Sequence, residues 1–303
     1  MVLLIAKRNG MSDEEIASLG DLGFEIRLLD RDGEVYDGNT EDIEAVICFQ
    51  FFKHNDIRRF PKLKLIHLTS AGYDHMPLDY LREKGIALYN ARGVYSVPIA
   101  EYVLGGVLHL YKEFPYFTAQ NAEGGWAQLG NLRELSGKAV TIVGAGSIAA
   151  EISRRFVAMG CSVTALSRNP KADEVFSHVG NISSLGEILP ETDILILAAP
   201  LNEGTFHIMN GGTFALMKKG SVFVNIARGG LADTDALMAA LNSGHISGAV
   251  LDVFEEEPLP AEHPIRKMKN VLITPHNSFA GEFNGHRSYQ VMHKDLKDYL
   301  EGK

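Results

Sequence analysis

A glycine turn set between an apolar strand and a helical pattern constrains this chain more than any other feature. The run at 139–143, AVTIV, leads straight into Gly144-Ala145-Gly146-Ser147-Ile148-Ala149, and amphipathic spacing follows. This is G-x-G-x-x-A. Its first glycine allows a tight turn, and its second lets the backbone approach a pyrophosphate. Its third small position, Ala149, lets the helix pack against the strand. The N-terminus of that helix then faces the phosphates. A glycine triplet alone says little. Between a strand and a helix it favours a dinucleotide site over a merely structural turn. Gly144, Gly146, Ser147 and Ile148 are the residues this turn presents.

The same rhythm runs through the chain. Short apolar runs at 2–7, 24–29, 45–49, 64–69 and 86–90 read as strands. A helix is predicted over 12–20, with Ser12 and Glu15 spaced as a capping box. One long apolar helix is predicted over 97–118, with Pro98 near its start, where proline is tolerated. After a polar stretch at 121–135, strands follow at 139–143, 162–167, 193–198, 221–226, 248–253 and 271–274. A last amphipathic helix covers 281–300. Strands alternating with helices imply an α/β fold with parallel sheets. Several strands are apolar throughout, as strands covered on both faces should be.

The chain has 303 residues, enough for two domains. Its net charge of -9 argues against a nucleic-acid scaffold, which needs a basic face. It does not argue against a small anionic substrate, which needs only a local cation. The apolar start ends at Lys7-Arg8, so charge follows the run, whereas a secretory signal carries it in front. No run reaches the roughly 18 apolar residues of a membrane helix. Cys48 and Cys161 stand far apart and match no disulfide or metal framework, so a reducing cytoplasm is expected. The 11 histidines are scattered without H-E-x-x-H, and no metal is expected.

The strand after the glycine turn ends at Ser167-Arg168, with Lys171 close by. An NAD-binding domain normally carries an acidic residue there to hold the ribose 2′-hydroxyl. A carboxylate would repel a 2′-phosphate, whereas a hydroxyl and a guanidinium would accept one. NADP(H) is therefore favoured, with NAD(H) kept open. The bland alternative is that Arg168 stacks on an adenine or sits in solvent.

Three segments bring charged or titratable residues just past apolar strands: NIARGG at 225–230, LDVFEEEP at 251–258 and TPHNSFAG at 274–281. Strand C-termini are where an open α/β sheet binds ligands. Together with the glycine turn, SAGYDH, NARGVYSVPIAEYVLG and APLNEGTFHIMN, they resemble the D-isomer-specific 2-hydroxyacid dehydrogenase family from about residue 65 to residue 276. Residues 1–60 match only in their strand pattern. The resemblance implies two Rossmann-like domains, one flavodoxin-like and one dinucleotide-binding. It assigns 1–96 plus 279–303 to the substrate and 97–278 to the cofactor, with the last helix returning to the first domain. It implies hydride transfer between the cofactor and C2 of a small 2-oxo or D-2-hydroxy acid, in a homodimer.

By the same resemblance Arg228 binds the substrate carboxylate and polarises the C2 carbonyl, a task that suits a guanidinium. His276 is the proton donor, as imidazole titrates near neutrality. Glu257, the glutamate that precedes Pro258, is the partner of His276. A carboxylate there favours the charged ring and fixes its tautomer. Glu255 and Glu256 compete for that place, and at least one of the three must be a solvated turn residue. Asp252 is implied at the nicotinamide carboxamide. Pro200, Thr205, Ala227 and Ser278 are implied beside the cofactor. Ala71 and Gly72 are implied as backbone donors to the substrate carboxylate, since such a turn makes an anion nest. Phe51 and Tyr95 are candidate substrate contacts, with Tyr73 and Lys53 nearby, although aromatics beside a strand are more often packing. After the histidine this chain has Asn277-Ser278-Phe279 where the family usually shows x-A-G. That departure puts a hydroxyl near the nicotinamide or substrate and lets Phe279 reshape the pocket.

Glyoxylate, hydroxypyruvate and larger 2-oxo acids remain open as substrates. Lys53, Arg58 and Arg59 keep a phosphoglycerate-type acid in play. Formate dehydrogenases share the fold, but Glu257 favours the hydroxyacid arrangement. Some relatives of this fold only sense the cofactor, and turnover is what separates that class from an enzyme.

Overall fold

The structure is a computed structural model that describes residues 1–6, 11–73 and 75–302. Lys7 and Arg8, which close the first apolar run, and Asp74 of SAGYDH lie outside the described residues. The chain forms two compact units, Met1–Tyr95 with Gly281–Lys303, and Ser96–Ala280.

In the first unit, β1 (Val2–Ile5), β2 (Glu25–Leu28), β3 (Ile43–Cys48), β4 (Leu65–Leu68) and β5 (Ala87–Tyr89) form one parallel sheet in the order β2-β1-β3-β4-β5. This is the flavodoxin-like order. The helix Asp13–Asp21 starts on the expected capping box. Glu15 N–H donates to Ser12 Oγ at 3.1 Å, and Ser12 N–H donates to Glu15 at 2.9 Å. The helix Asn284–Leu300 joins this unit, and its Met292 and Leu296 are buried among Leu3, Ile5 and Leu65.

In the second unit, β6 (Ala139–Val143), β7 (Ser162–Ser167), β8 (His178–Asn181), β9 (Ile194–Leu197), β10 (Ser221–Asn225), β11 (Ile246–Leu251) and β12 (Val271–Ile273) form a seven-stranded parallel sheet. Its order is β12-β11-β10-β9-β6-β7-β8. This is the dinucleotide-binding order with one further edge strand. The order reverses between β6 and β9, so the glycine turn after β6 sits at the switch point, where such sheets bind ligands.

Two expectations need correction. The long helix over 97–118 is two helices, Ser96–Tyr111 and Phe114–Ala122, with Glu113 between them in the left-handed region at φ 53. Pro115 explains the break. Inside a continuous helix it would lack the N–H for the Tyr111 carbonyl and its ring would clash there. In the first turn of a new helix neither problem arises. The edge strand β8 was not expected, because HVGN is half-exposed and carries no apolar alternation.

Candidate active site

The glycine turn is built for two different reasons. Gly144 has φ +123, and a Cβ there would lie 2.6 Å from the Ala198 carbonyl oxygen. Its N–H donates to Leu166 at 2.7 Å. Ala149 is fully buried. Both positions are therefore dictated by protein packing. Gly146 is different. It precedes the helix Ser147–Ala158, no side chain caps that helix, and a Cβ on Gly146 would meet no protein atom within 4 Å. Its small size leaves the helix N-terminus open to a phosphate. At the tip of β7, Ser167 Oγ is buried and has no hydrogen-bond partner among the described residues. Arg168 and Lys171 are exposed just beyond. An open helix N-terminus with an orphaned hydroxyl on the next strand fits a bound dinucleotide.

The loop after β9 is held from within. Thr205 is buried, and its hydroxyl donates to the Pro200 carbonyl at 2.8 Å while accepting the Asn202 N–H at 2.9 Å. Thr205 thus shapes the loop, and exposed Pro200 forms its outer surface.

The loops after β10, β11 and β12 come from adjacent strands. Buried Asn225 ends β10. Its Nδ2 donates to the Arg228 carbonyl at 2.9 Å, and its Oδ1 accepts the Ala227 N–H at 3.2 Å. Arg228 is extended and half-buried, with Nη1 donating to the Ala227 carbonyl at 2.7 Å. A Cβ on Gly229 would lie 1.9 Å from the Phe254 carbonyl carbon, so only glycine fits where these two loops touch.

Asp252, past β11, is buried and organises the loop after β12. Its Oδ1 accepts the Asn277 N–H at 2.7 Å and the Thr274 hydroxyl at 2.5 Å. Its Oδ2 accepts the Ser278 N–H at 3.0 Å, and its carbonyl accepts the His276 N–H at 2.8 Å. A carboxylate offers about four acceptor positions, so one remains for a ligand amide. Ser278 is buried beside it.

His276 itself adopts φ 51, which is uncommon for a residue with a side chain. Its Nδ1 lies 2.8 Å from Glu257 Oε2, and the other oxygen of Glu257 accepts the Phe254 N–H at 2.9 Å. The three neighbouring glutamates therefore part ways. Glu255 meets His207 at 2.7 Å and the Thr234 hydroxyl at 2.7 Å. Partial burial works to raise the Glu255 carboxyl, but the bonds from Thr234 and His207 outweigh it and hold the group below its ordinary value. Glu256 is exposed.

The remaining candidates belong to the first unit. The Ala71 carbonyl accepts Asn90 Nδ2 at 2.7 Å, and the Gly72 carbonyl accepts the Ser70 hydroxyl at 2.7 Å. Tyr95 donates its hydroxyl to the Thr69 carbonyl. Phe51 requires correction as a substrate contact. It is fully buried, edge-on to Phe52 and Phe60, because the expected loop is a short helix, Phe51–His54, that turns this ring into the core. The exposed aromatic is Phe49, packed edge-on to His75 at 6.5 Å. Buried Asp32 holds that turn by accepting the Phe49 N–H at 2.8 Å and also the Gln50 N–H. Sequence reasoning missed Asp32 and Asn225, whose roles lie in bonds to distant or local backbone that no motif announces.

A sheet of this order, with a glycine turn at its switch point and a histidine–glutamate pair at neighbouring strand ends, defines a dinucleotide-dependent α/β oxidoreductase. The family model described as D-isomer specific 2-hydroxyacid dehydrogenase, NAD binding domain, matches residues 104–278, and the chain belongs to that family. It is 36% identical over 222 residues to an (S)-sulfolactate dehydrogenase of Chromohalobacter salexigens, which covers 73% of this chain and 72% of the relative. It is 31% identical to a glyoxylate/hydroxypyruvate reductase of Arabidopsis thaliana over 82% of this chain and 76% of the relative. Among solved structures, a D-isomer specific 2-hydroxyacid dehydrogenase of Xanthobacter autotrophicus Py2 in complex with NADPH and MES is similar with a TM-score of 0.81. It has 28% identity and covers 100% of this chain and 95% of that one. Among the described residues, no helix is long and apolar enough to cross a membrane, and no group of side chains could hold a metal ion.

Proposed function

We propose that this chain reduces a small 2-oxo acid to its D-2-hydroxy acid with NADP(H). The observation that carries the reading is the 2.8 Å contact of His276 Nδ1 with Glu257, on a loop neighbouring that of Arg228. With Nδ1 donating to Glu257, Nε2 is the nitrogen left to face substrate. It gives a proton to the C2 carbonyl oxygen as that oxygen gains negative charge. Glu257 stabilises the imidazolium before transfer and holds the ring's orientation. Arg228 takes the carboxylate through its fork of N–H groups and draws electron density from the carbonyl. Bound nicotinamide dinucleotide supplies the hydride to C2. Gly144, Gly146, Ser147 and Ile148 hold its pyrophosphate, and Pro200, Thr205, Ala227, Asp252 and Ser278 border its remainder. Asp252 keeps its fourth acceptor position for the carboxamide.

The preference for NADP(H) rests on the orphaned Ser167 hydroxyl and on exposed Arg168 and Lys171, which together suit a 2′-phosphate better than a 2′-hydroxyl. Residues 97–278 take the cofactor. Residues 1–96 with 279–303 take the acid through Ala71, Gly72 and Tyr95. Of the three cations that keep a phosphorylated acid in play, exposed Lys53 is the one left for that role. Arg58 is forked onto Asp56 at 2.8–3.1 Å, and Arg59 donates to the Tyr36 carbonyl at 3.2 Å. Glyoxylate and hydroxypyruvate are the first acids to try.

A homodimer is part of the same reading, and so is a cytoplasmic location. The helix Ser96–Tyr111 buries Val103, Val107 and Leu110 within its own unit. Half-buried Leu104 and Leu108 on its other side, with exposed Phe114 and Trp126 after it, the latter 96% exposed, are the apolar residues available to a dimer surface.

The test follows absorbance of NADPH and, separately, NADH with glyoxylate, hydroxypyruvate, pyruvate and phenylpyruvate. Oxidation with NADPH preferred supports the reading. Tight cofactor binding without oxidation of any acid would instead favour a sensor of the cofactor.

A further inference from the structure

The conformation of the His276 loop is set from outside it. The helix Ser96–Tyr111 packs so closely on β11 and β12 that its residues at steps of four, Leu110, Gly106 and Tyr102, meet alternate positions of these two strands and of the residue just past β12. A Cβ on Gly248 would lie 3.1 Å from Leu110 Cδ1. A Cβ on Gly106 would lie 2.7 Å from Val250 and 3.4 Å from Leu272. One turn further along that face, Tyr102 Oη is 2.7 Å from Thr274 Oγ1. Residues four apart share a helix face, so the contact made possible by Gly106 is what places Tyr102.

The donors in this chain can be assigned. Both oxygens of Asp252 already accept backbone N–H groups, from Asn277 and Ser278. The Thr274 hydroxyl must therefore donate to Asp252, at 2.5 Å, and its lone pair receives the Tyr102 O–H. Burial pushes the Tyr102 phenol up to about 12, so it stays a donor across the working range of a hydroxyacid enzyme. A single line of bonds thus runs Tyr102, Thr274, Asp252 and the N–H groups of residues 277 and 278, while the Asp252 carbonyl takes the N–H of 276.

We infer that Tyr102 and Thr274 are positioning residues for this reaction: they lock Asp252 so that its bonds hold His276 in its left-handed conformation, with Nδ1 on Glu257 and Nε2 toward substrate. The inference rests on His276 being the proton donor proposed above. Neither residue touches the reacting atoms. Their loss should misplace the proton donor while leaving acid binding to Arg228 and phosphate binding to the glycine turn intact.

The test uses full-length Tyr102→Phe, Thr274→Val, Thr274→Ser, the double variant Tyr102→Phe/Thr274→Val, and His276→Asn. Steady-state kinetics are followed with NADPH and the fastest of the four acids, and NADPH affinity by fluorescence. Small displacements of a reacting group lower rates by up to about a hundredfold, so kcat should fall about tenfold in Thr274→Val and about threefold in Tyr102→Phe. KM for the acid and the Kd for NADPH should stay within about twofold of the parent, and Thr274→Ser should restore kcat. Because the two residues act in one line, the double variant should be no slower than Thr274→Val alone. Parental kcat in Thr274→Val beside an inactive His276→Asn overturns this inference alone. So does a loss of kcat accompanied by a matching loss of acid and cofactor binding. Full turnover in His276→Asn overturns the acid assignment, and this inference with it.

Discussion

Gly229 and Phe254 touch backbone to backbone: a single methyl group on Gly229 would sit 1.9 Å from the Phe254 carbonyl carbon and 2.1 Å from its oxygen. Arg228 precedes the glycine, and the Phe254 N–H holds Glu257. Arg228, the proposed substrate-binding residue, and Glu257, the partner of His276, are thus registered to each other through one hydrogen atom's worth of space. Gly229→Ala should push the two loops apart, since neither neighbour is a flexible side-chain end. Overpacking of this kind costs about 1–3 kcal/mol. A thermal melt should show that loss, and kcat/KM should fall further than stability explains. Parental kinetics in a folded Gly229→Ala would refute the coupling.

In the proposed reduction one proton is taken up, and His276 is the residue proposed to give it. His276→Asn should lower kcat by about 10²–10⁴-fold, the usual range for a general acid. Glu257→Gln should lower it less, since the amide oxygen can still accept from Nδ1 but carries no charge. Arg228→Ala should collapse turnover and leave NADPH binding intact. Steady-state kcat for the parent and the three variants decides the matter, and parental kcat in Glu257→Gln excludes the pairing from the reaction.

In the proposed reading cofactor choice rests on the tip of β7. Ser167→Asp with Arg168→Ala places a carboxylate where a 2′-hydroxyl could be held and a 2′-phosphate repelled. The ratio of kcat/KM for NADPH to that for NADH should fall, by about tenfold or more if the change alters one charge-assisted contact of about 1.5 kcal/mol. An unchanged ratio means that Ser167 and Arg168 do not read the ribose.

Phe51 is fully buried in the first unit, so its contribution is to stability. Phe51→Ala should cost about 3–5 kcal/mol, as large aromatic truncations in cores do. Phe49→Ala, at an exposed ring, should cost little and is the better probe of substrate preference. Denaturant unfolding of the two variants separates them.

Acid stability should depend on Asp193. Partial burial raises this carboxyl, but the Lys218 ammonium at 2.8 Å and the Ala139 N–H at 3.0 Å outweigh it and leave the group below its ordinary 3.8. A carboxyl lowered in the folded state contributes stability above its ordinary value and loses it as the pH falls through the lowered one. Asp193→Asn should therefore lower the melting temperature near neutrality and narrow the gap to the parent at the acid end. A constant gap across pH would show that the ionised pair contributes nothing.

The sequence by itself determined most of the strands and the order of chemistry along the chain. AVTIV followed by G-x-G-x-x-A is local: strand period, turn glycine and helix start are encoded within a dozen residues, and the structure places them at the switch point. The glutamate before Pro258 and His276 were legible as a pair through their motifs. Tertiary structure decided the rest. HVGN is a strand only because β7 offers it an edge. Phe51 is core because a short helix turns it inward, where local composition suggested an exposed wall. The break at Glu113 was written in Pro115 but hidden under continuous apolar spacing. Asp252, Tyr102 and Thr274 set the loop geometry through bonds that close only when β11, β12 and the helix at 96–111 are assembled. Such bonds link residues up to 172 positions apart, as Tyr102 and Thr274 are. Spacing along a chain carries no trace of them, because hydrogen bonding depends on distances that folding alone creates.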